Sequence, residues 1–136
     1  MKEITLDATI KNLGKITDFV NKELEKIGCP IKPMNQIDIV IDELFSNIAY
    51  YAYKPEVGPV TVTVDIEDNP ICVIITFMDN GKPFNPLTVS EPDTHLNAEE
   101  RKIGGLGIFL VKKTMDDVTY EFKDGKNILR IKKNVS

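Results

Sequence analysis

The chain lacks tryptophan altogether and has one histidine and two cysteines among 136 residues. One histidine, His95, and two distant cysteines, Cys29 and Cys72, argue against a zinc site, and two cysteines are too few for a disulfide framework. No basic segment followed by an apolar one opens the chain. No apolar run approaches the roughly 18 residues that a bilayer-spanning helix requires. The expectation is a cytoplasmic protein without membrane contact. Eight glycines and eight prolines are too few for a collagen-like or low-complexity chain. Excess positive charge is missing as well. The net charge is −4, with 8 basic and 17 acidic side chains over residues 1–100, and 9 and 4 over 101–136. That balance argues against a general nucleic-acid binder. The basic residues of the last quarter are spread among strand-like apolar positions without aromatic interleaving, although they can still meet a phosphate or an acidic partner.

What remains is a composition of 42% hydrophobic and 28% charged residues, which suits one compact domain over residues 1–136. Ile4, Leu6, Ala8 and Ile10 alternate with polar neighbours, predicting a first, edge strand over 3–10. Leu13, Ile16, Phe19, Val20, Leu24 and Ile27 recur at three and four, predicting an amphipathic helix that Gly28 and Pro30 stop. A second helix runs from about Met34 to Tyr53, between Pro33 and Pro55. On it Tyr51 is expected nearer the core, and Tyr50 and Tyr53 are expected to point away. Val60, Val62, Val64 and Ile66 alternate with polar residues in a strand with one wet face. The nearly unbroken apolar run 71–78 reads as its hairpin partner, an interior strand covered on both sides. Residues 106–115 form a short helix, and 118–122 and 127–133 form two strands joined through Lys123-Asp124-Gly125-Lys126. The fold class is an α/β (α+β) two-layer sandwich, with about three helices on one face of a mixed, mainly antiparallel sheet.

Three places carry residues suited to chemistry. On the second helix Ile37, Val40, Ile41, Leu44 and Ile48 form an apolar stripe, with Glu43 and Asn47 four residues apart on its rim. Such a pair either faces a cleft, where the amide oxygen ligates Mg²⁺ and the carboxylate accepts a proton, or forms a solvated helix flank. Asp79 follows the buried strand directly and opens the run Asp79-Asn80-Gly81-Lys82-Pro83-Phe84. It is either part of a plain strand-ending turn or an acceptor for an exocyclic amine such as that of adenine. Gly104-Gly105-Leu106-Gly107 leads into a helix. It either brings backbone N–H groups and the helix dipole to a phosphate or serves loop closure. Residues 79–104 between these boxes are polar and aperiodic, longer than most connections in compact domains.

In their order and spacing the helix pair, the Asp-x-Gly-x-x-Phe turn and the Gly-Gly-Leu-Gly box resemble the N, G1 and G2 boxes of the GHKL (Bergerat-fold) ATPases. The likeness is strongest to the small anti-sigma-factor serine/threonine kinases of bacterial partner-switching systems, and it spans residues 4–133. Gly107-Ile108-Phe109-Leu110-Val111 and Met115-Asp116-Asp117-Val118 add to it. The resemblance implies Glu43 as general base and Asn47 as Mg²⁺ ligand. It implies Asp79 as reader of the adenine amine and Gly81 as a point of close approach to the base. Gly104, Gly105, Leu106 and Gly107 would belong to the phosphate-covering end of an ATP lid over about 82–105, with Lys102 or Arg101 neutralising phosphate charge. Asn127 stands where members commonly place a threonine near the adenine. His95 reads as an exposed lid residue.

The activity implied is ATP- and Mg²⁺-dependent phosphorylation of an anti-sigma-factor antagonist of the STAS type, by a homodimer that also binds a sigma factor. Residues 13–27 hold no arginine of the kind through which relatives touch the sigma factor, so that partner is implied less firmly than ATP. The alternative is a non-catalytic ATP-binding regulatory module that sequesters a protein partner.

Overall fold

A computed structural model describes residues 1–88 and 105–136. The chain runs through β1 (Lys2–Asp7), a 3-10 turn (Ile10–Asn12), α1 (Leu13–Lys26) and α2 (Ile31–Asn47), which continues into a π-helical turn (Ile48–Ala52). Next come β2 (Pro59–Glu67), β3 (Cys72–Asp79), a 3-10 turn (Pro86–Thr88), α3 (Gly105–Thr114), β4 (Asp117–Lys123) and β5 (Lys126–Asn134). The strands form one sheet in the order β1-β2-β3-β5-β4. The result is an open α/β sandwich, in which β1 lies at an edge as its alternation predicts. Every pairing among the described strands is antiparallel, so the sheet is not mixed.

Strand periodicity decides which side chains meet the helices. Val60, Val62 and Val64 of β2, Val73, Ile75 and Phe77 of β3, and Leu129 and Ile131 of β5 are buried on one face. Ile16, Val20 and Leu24 of α1, Ile37, Val40, Ile41, Leu44 and Phe45 of α2, and Ile108 and Val111 of α3 complete the core. The apolar run of β3 is covered less completely on its second side than its composition suggests. On the face away from the core Cys72 and Thr76 are buried, whereas Ile74 and Met78, between β2 and β5, are half-buried.

Local chemistry sets the connections. The Asn12 amide donates to the Asp7 carbonyl at 2.9 Å, tying the end of β1 to the start of α1. Between β4 and β5, Asp124 (φ 53°) and Gly125 (φ 76°) form the two-residue, left-handed turn that matches the twist of a hairpin. The π-turn at Ile48–Ala52 changes the rotational phase of α2. Extrapolating a 3.6-residue period therefore fails beyond Asn47. Tyr53 turns inward and packs on the core, whereas Tyr50 and Tyr51 are 58% and 40% exposed, the reverse of the expected placement of Tyr51 and Tyr53.

Phe45 is fully buried on α2, between the sheet and the neighbouring helices. Phe45→Ala is expected to lower the unfolding free energy by about 3–5 kcal/mol, read from the urea midpoint at unchanged slope.

Candidate active site

Asp79, Gly81 and Asn127, all singled out in the sequence, converge at one end of the sheet. Asp79 ends β3 and Asn127 lies opposite it on β5, both on the helix-facing side and both buried. Asn127 Nδ2 donates to Asp79 Oδ1 at 3.0 Å and to the Lys82 carbonyl at 2.9 Å. Its Oδ1 accepts from the Phe84 N–H at 3.1 Å and from the Tyr120 hydroxyl at 2.5 Å. The Gly81 N–H donates to Asp79 Oδ1 at 2.8 Å. One carboxylate oxygen is thus committed to holding the turn. Burial pushes the Asp79 carboxyl above its ordinary range, and the hydrogen bonds from Asn127 and Gly81 oppose that shift.

The turn is held from its other side too. Tyr53 donates to the Pro59 carbonyl at 2.6 Å and accepts the Asn80 N–H at 2.7 Å, while the Lys82 N–H donates to the Ala52 carbonyl at 2.9 Å. A Cβ on Gly81 would collide with the Ala52 backbone. The close approach at Gly81 is therefore between the turn and the π-turn after α2. These contacts leave a cavity of about 220 Å³, walled by Leu44, Ile48, Phe77 and Leu129, with Asp79 and Asn47 on its surface. An apolar slot with one carboxylate suits a flat heteroaromatic ring bearing an amine.

Glu43 and Asn47 project from one side of α2, and Asn47 Nδ2 donates to Glu43 Oε1 at 3.2 Å. With its nitrogen spent on Glu43, Asn47 keeps its side-chain oxygen for a hard cation, and an amide oxygen at the edge of this cavity fits Mg²⁺ in donor type. Glu43 is half-buried, and burial raises its pKa, with the Asn47 hydrogen bond opposing and Asp42 adding to the rise. Gly107, in the first turn of α3, lies directly against this carboxylate, where any Cβ would overlap it. A second cavity, of about 160 Å³, opens beside Glu43 and Gly107 between α2 and α3.

The structure therefore brings Glu43 to Asn47 and Gly107, and Asp79 to Gly81 and Asn127. Gly105 and Leu106 lie in the first turn of α3. Lys102, Arg101, Gly104, His95 and the lid beyond Thr88 lie outside the described residues. The sequence reading missed Tyr120, which donates to the Asn127 carboxamide, and misplaced Tyr53, which holds Asn80. Alternation in β4 was the available signal for Tyr120, because it places one hydroxyl among helix-facing positions beside a buried amide.

An open antiparallel sandwich with these boxes at one end of its sheet defines a class. Residues 6–133 match the family model of the histidine kinase-like ATPase domain, and the chain belongs to that family. It is 28% identical over 116 residues to the serine-protein kinase RsbW of Bacillus mycoides (strain KBAB4), covering 79% of this chain and 68% of that protein. It is 27% identical, over the same shares, to the serine-protein kinases RsbW of Bacillus thuringiensis (strain Al Hakam) and Bacillus anthracis. Membership implies the use of ATP. Among the described residues no helix is long and apolar enough to cross a membrane.

Removing the Asn127 carboxamide strands the Phe84 N–H and the Tyr120 hydroxyl near a buried carboxylate. Asn127→Ala is expected to cost about 2–3 kcal/mol of stability in chemical denaturation and to weaken ATP binding in calorimetry.

Proposed function

We propose that the chain is a protein serine/threonine kinase, an ATP:protein phosphotransferase whose acceptor is an anti-sigma-factor antagonist of the STAS type. The observation that carries this reading is the placement of Glu43: a half-buried carboxylate, hydrogen-bonded to Asn47 and pressed against Gly107. A carboxylate with an elevated pKa is a competent acceptor for a hydroxyl proton. Asp79 takes the adenine amine with its uncommitted oxygen. The apolar walls take the ring. Gly104, Gly105, Leu106 and Gly107 meet the triphosphate, with Lys102 or Arg101 against its charge. Asn47 holds Mg²⁺, which when bound neutralises phosphate charge. Asn127 serves the nucleotide through the turn it holds, since its amide nitrogen and oxygen are engaged by the protein. Phosphoryl transfer asks mainly for positioning and charge neutralisation, and these parts supply both. A homodimer in the cytoplasm that also sequesters a sigma factor completes the proposal, on the likeness to serine-protein kinases.

The test is incubation with labelled ATP, Mg²⁺ and the antagonist encoded nearest to the gene. Labelled antagonist is expected from wild type and none from Glu43→Gln. Absence of transfer by wild type, with ATP still bound, would leave the non-catalytic regulatory module as the reading. Asp79→Asn is expected to abolish ATP binding in calorimetry; retained affinity would refute the adenine assignment.

Glu43 also predicts a pH dependence. Because burial raises its pKa, the folded protein holds the Glu43 proton to a higher pH than the unfolded chain does. Its contribution to stability then falls as pH rises from the ordinary glutamate value through the raised one. Glu43→Gln removes that loss. The variant is expected to melt above wild type at neutral pH and to approach it below the ordinary glutamate range, while wild-type turnover rises with pH as the base ionises.

A further inference from the structure

The cavity between α2 and α3 differs in kind from the one that ends at Asp79. The two share no lining residue: Asn47 belongs to the first and Glu43 to the second. The Glu43–Asn47 hydrogen bond therefore marks the boundary between them. The second is walled by Ile39 and Leu110, which are 57% and 44% exposed. Val40 and Val111 form its floor, and Asp42, Glu43 and Ser46 form its polar side. Ser46 donates to Asp42 Oδ1 at 3.1 Å, which orients that carboxylate. Among the described residues no lysine or arginine lines the groove, and neither Asp42 nor Glu43 has an ion-pair partner.

We infer that this groove receives the phospho-acceptor: a segment of the partner protein that carries a serine or threonine hydroxyl between an apolar and a basic side chain. The inference rests on the kinase reading above. In phosphoryl transfer the attacking and leaving oxygens lie roughly in line through phosphorus. With the base at Asp79 and Mg²⁺ at Asn47, as proposed above, the phosphates would lie where the first cavity meets the groove, and the groove gives an acceptor hydroxyl a route to Glu43 from the side away from the base. There the acceptor oxygen bonds to the γ-phosphorus as the bond from that phosphorus to the β–γ bridging oxygen breaks. ADP departs, and the hydroxyl proton passes to the Glu43 carboxylate. Ile39 and Leu110 offer exposed apolar area to a side chain flanking the hydroxyl. Asp42, without an ion-pair partner among the described residues, offers its charge to a basic one, the complementarity that sets register and encounter rate.

The experiment is steady-state transfer by the full chain at saturating ATP and Mg²⁺, with the antagonist encoded nearest to the gene as acceptor. It compares wild type with Ile39→Lys, Leu110→Lys and Asp42→Lys. All three sites are exposed, and ATP affinity by calorimetry reports that each variant is folded. Each is expected to raise the acceptor KM about tenfold or more, the effect of roughly 1.4 kcal/mol of lost contact, with ATP affinity retained in all three and kcat retained in Ile39→Lys and Leu110→Lys. Transfer by wild type with an unchanged acceptor KM in all three variants would overturn the groove and leave the kinase reading standing. ATP hydrolysis without transfer by wild type would make water the occupant and overturn both.

Discussion

The pairing of Asp79 with Asn127 at the end of the β3–β5 ladder organises the functional end of the molecule. The register sets these residues opposite one another on the helix-facing side, where the apolar alternation of both strands gives way to polar groups. A buried carboxylate is tolerable when it is hydrogen-bonded, and Asp79 is bonded by Asn127 and by its own turn. Asn127 in turn needs partners for all its hydrogen-bonding capacity. It finds them in the Lys82 carbonyl, the Phe84 N–H and the Tyr120 hydroxyl. Satisfying two buried side chains thereby fixes the path of the chain from 79 to 84. Tyr53 and Ala52 fix it from the other side. The wall of the first cavity is thus shaped by the demand that buried polar groups be paired.

The same logic explains why α2 carries both the apolar stripe and the Glu43–Asn47 pair. Ile37, Val40, Ile41 and Leu44 anchor the helix in the core, so Glu43 and Asn47 on its margin are held rigidly where two cavities meet. Gly107 lets α3 approach the Glu43 carboxylate without a Cβ between them. Burial from that approach contributes to keeping the carboxyl protonated to a higher pH, a destabilising feature of a kind often concentrated where chemistry is done.

Much of this was legible in the residues. Period-2 and period-3.6 patterns located the strands and α1 to within a few residues, and the Asp-Gly turn between β4 and β5 followed from its dipeptide. The two-sided burial expected for 71–78 holds only in part, with Cys72 and Thr76 buried and Ile74 and Met78 half-buried on the face away from the core, because apolar composition reports a central strand but does not say which layers cover it. Tyr53 was misplaced because a π-turn has no strong local signature and shifts every side chain after it. Tyr120 went unnoticed because its role depends on a cross-strand neighbour and on a carboxamide in the hairpin partner.

By itself the sequence determined the element order, the core stripes and the candidacy of Glu43, Asn47, Asp79 and the glycine box, because these depend on residue type and short spacing. Only the tertiary structure decided that Gly81 makes room for the Ala52 backbone, that Asn127 is engaged by the turn, and that Glu43 opens onto a groove of its own. Those outcomes depend on contacts between residues tens of positions apart. Strand register and helix packing set such contacts, and no local pattern records them.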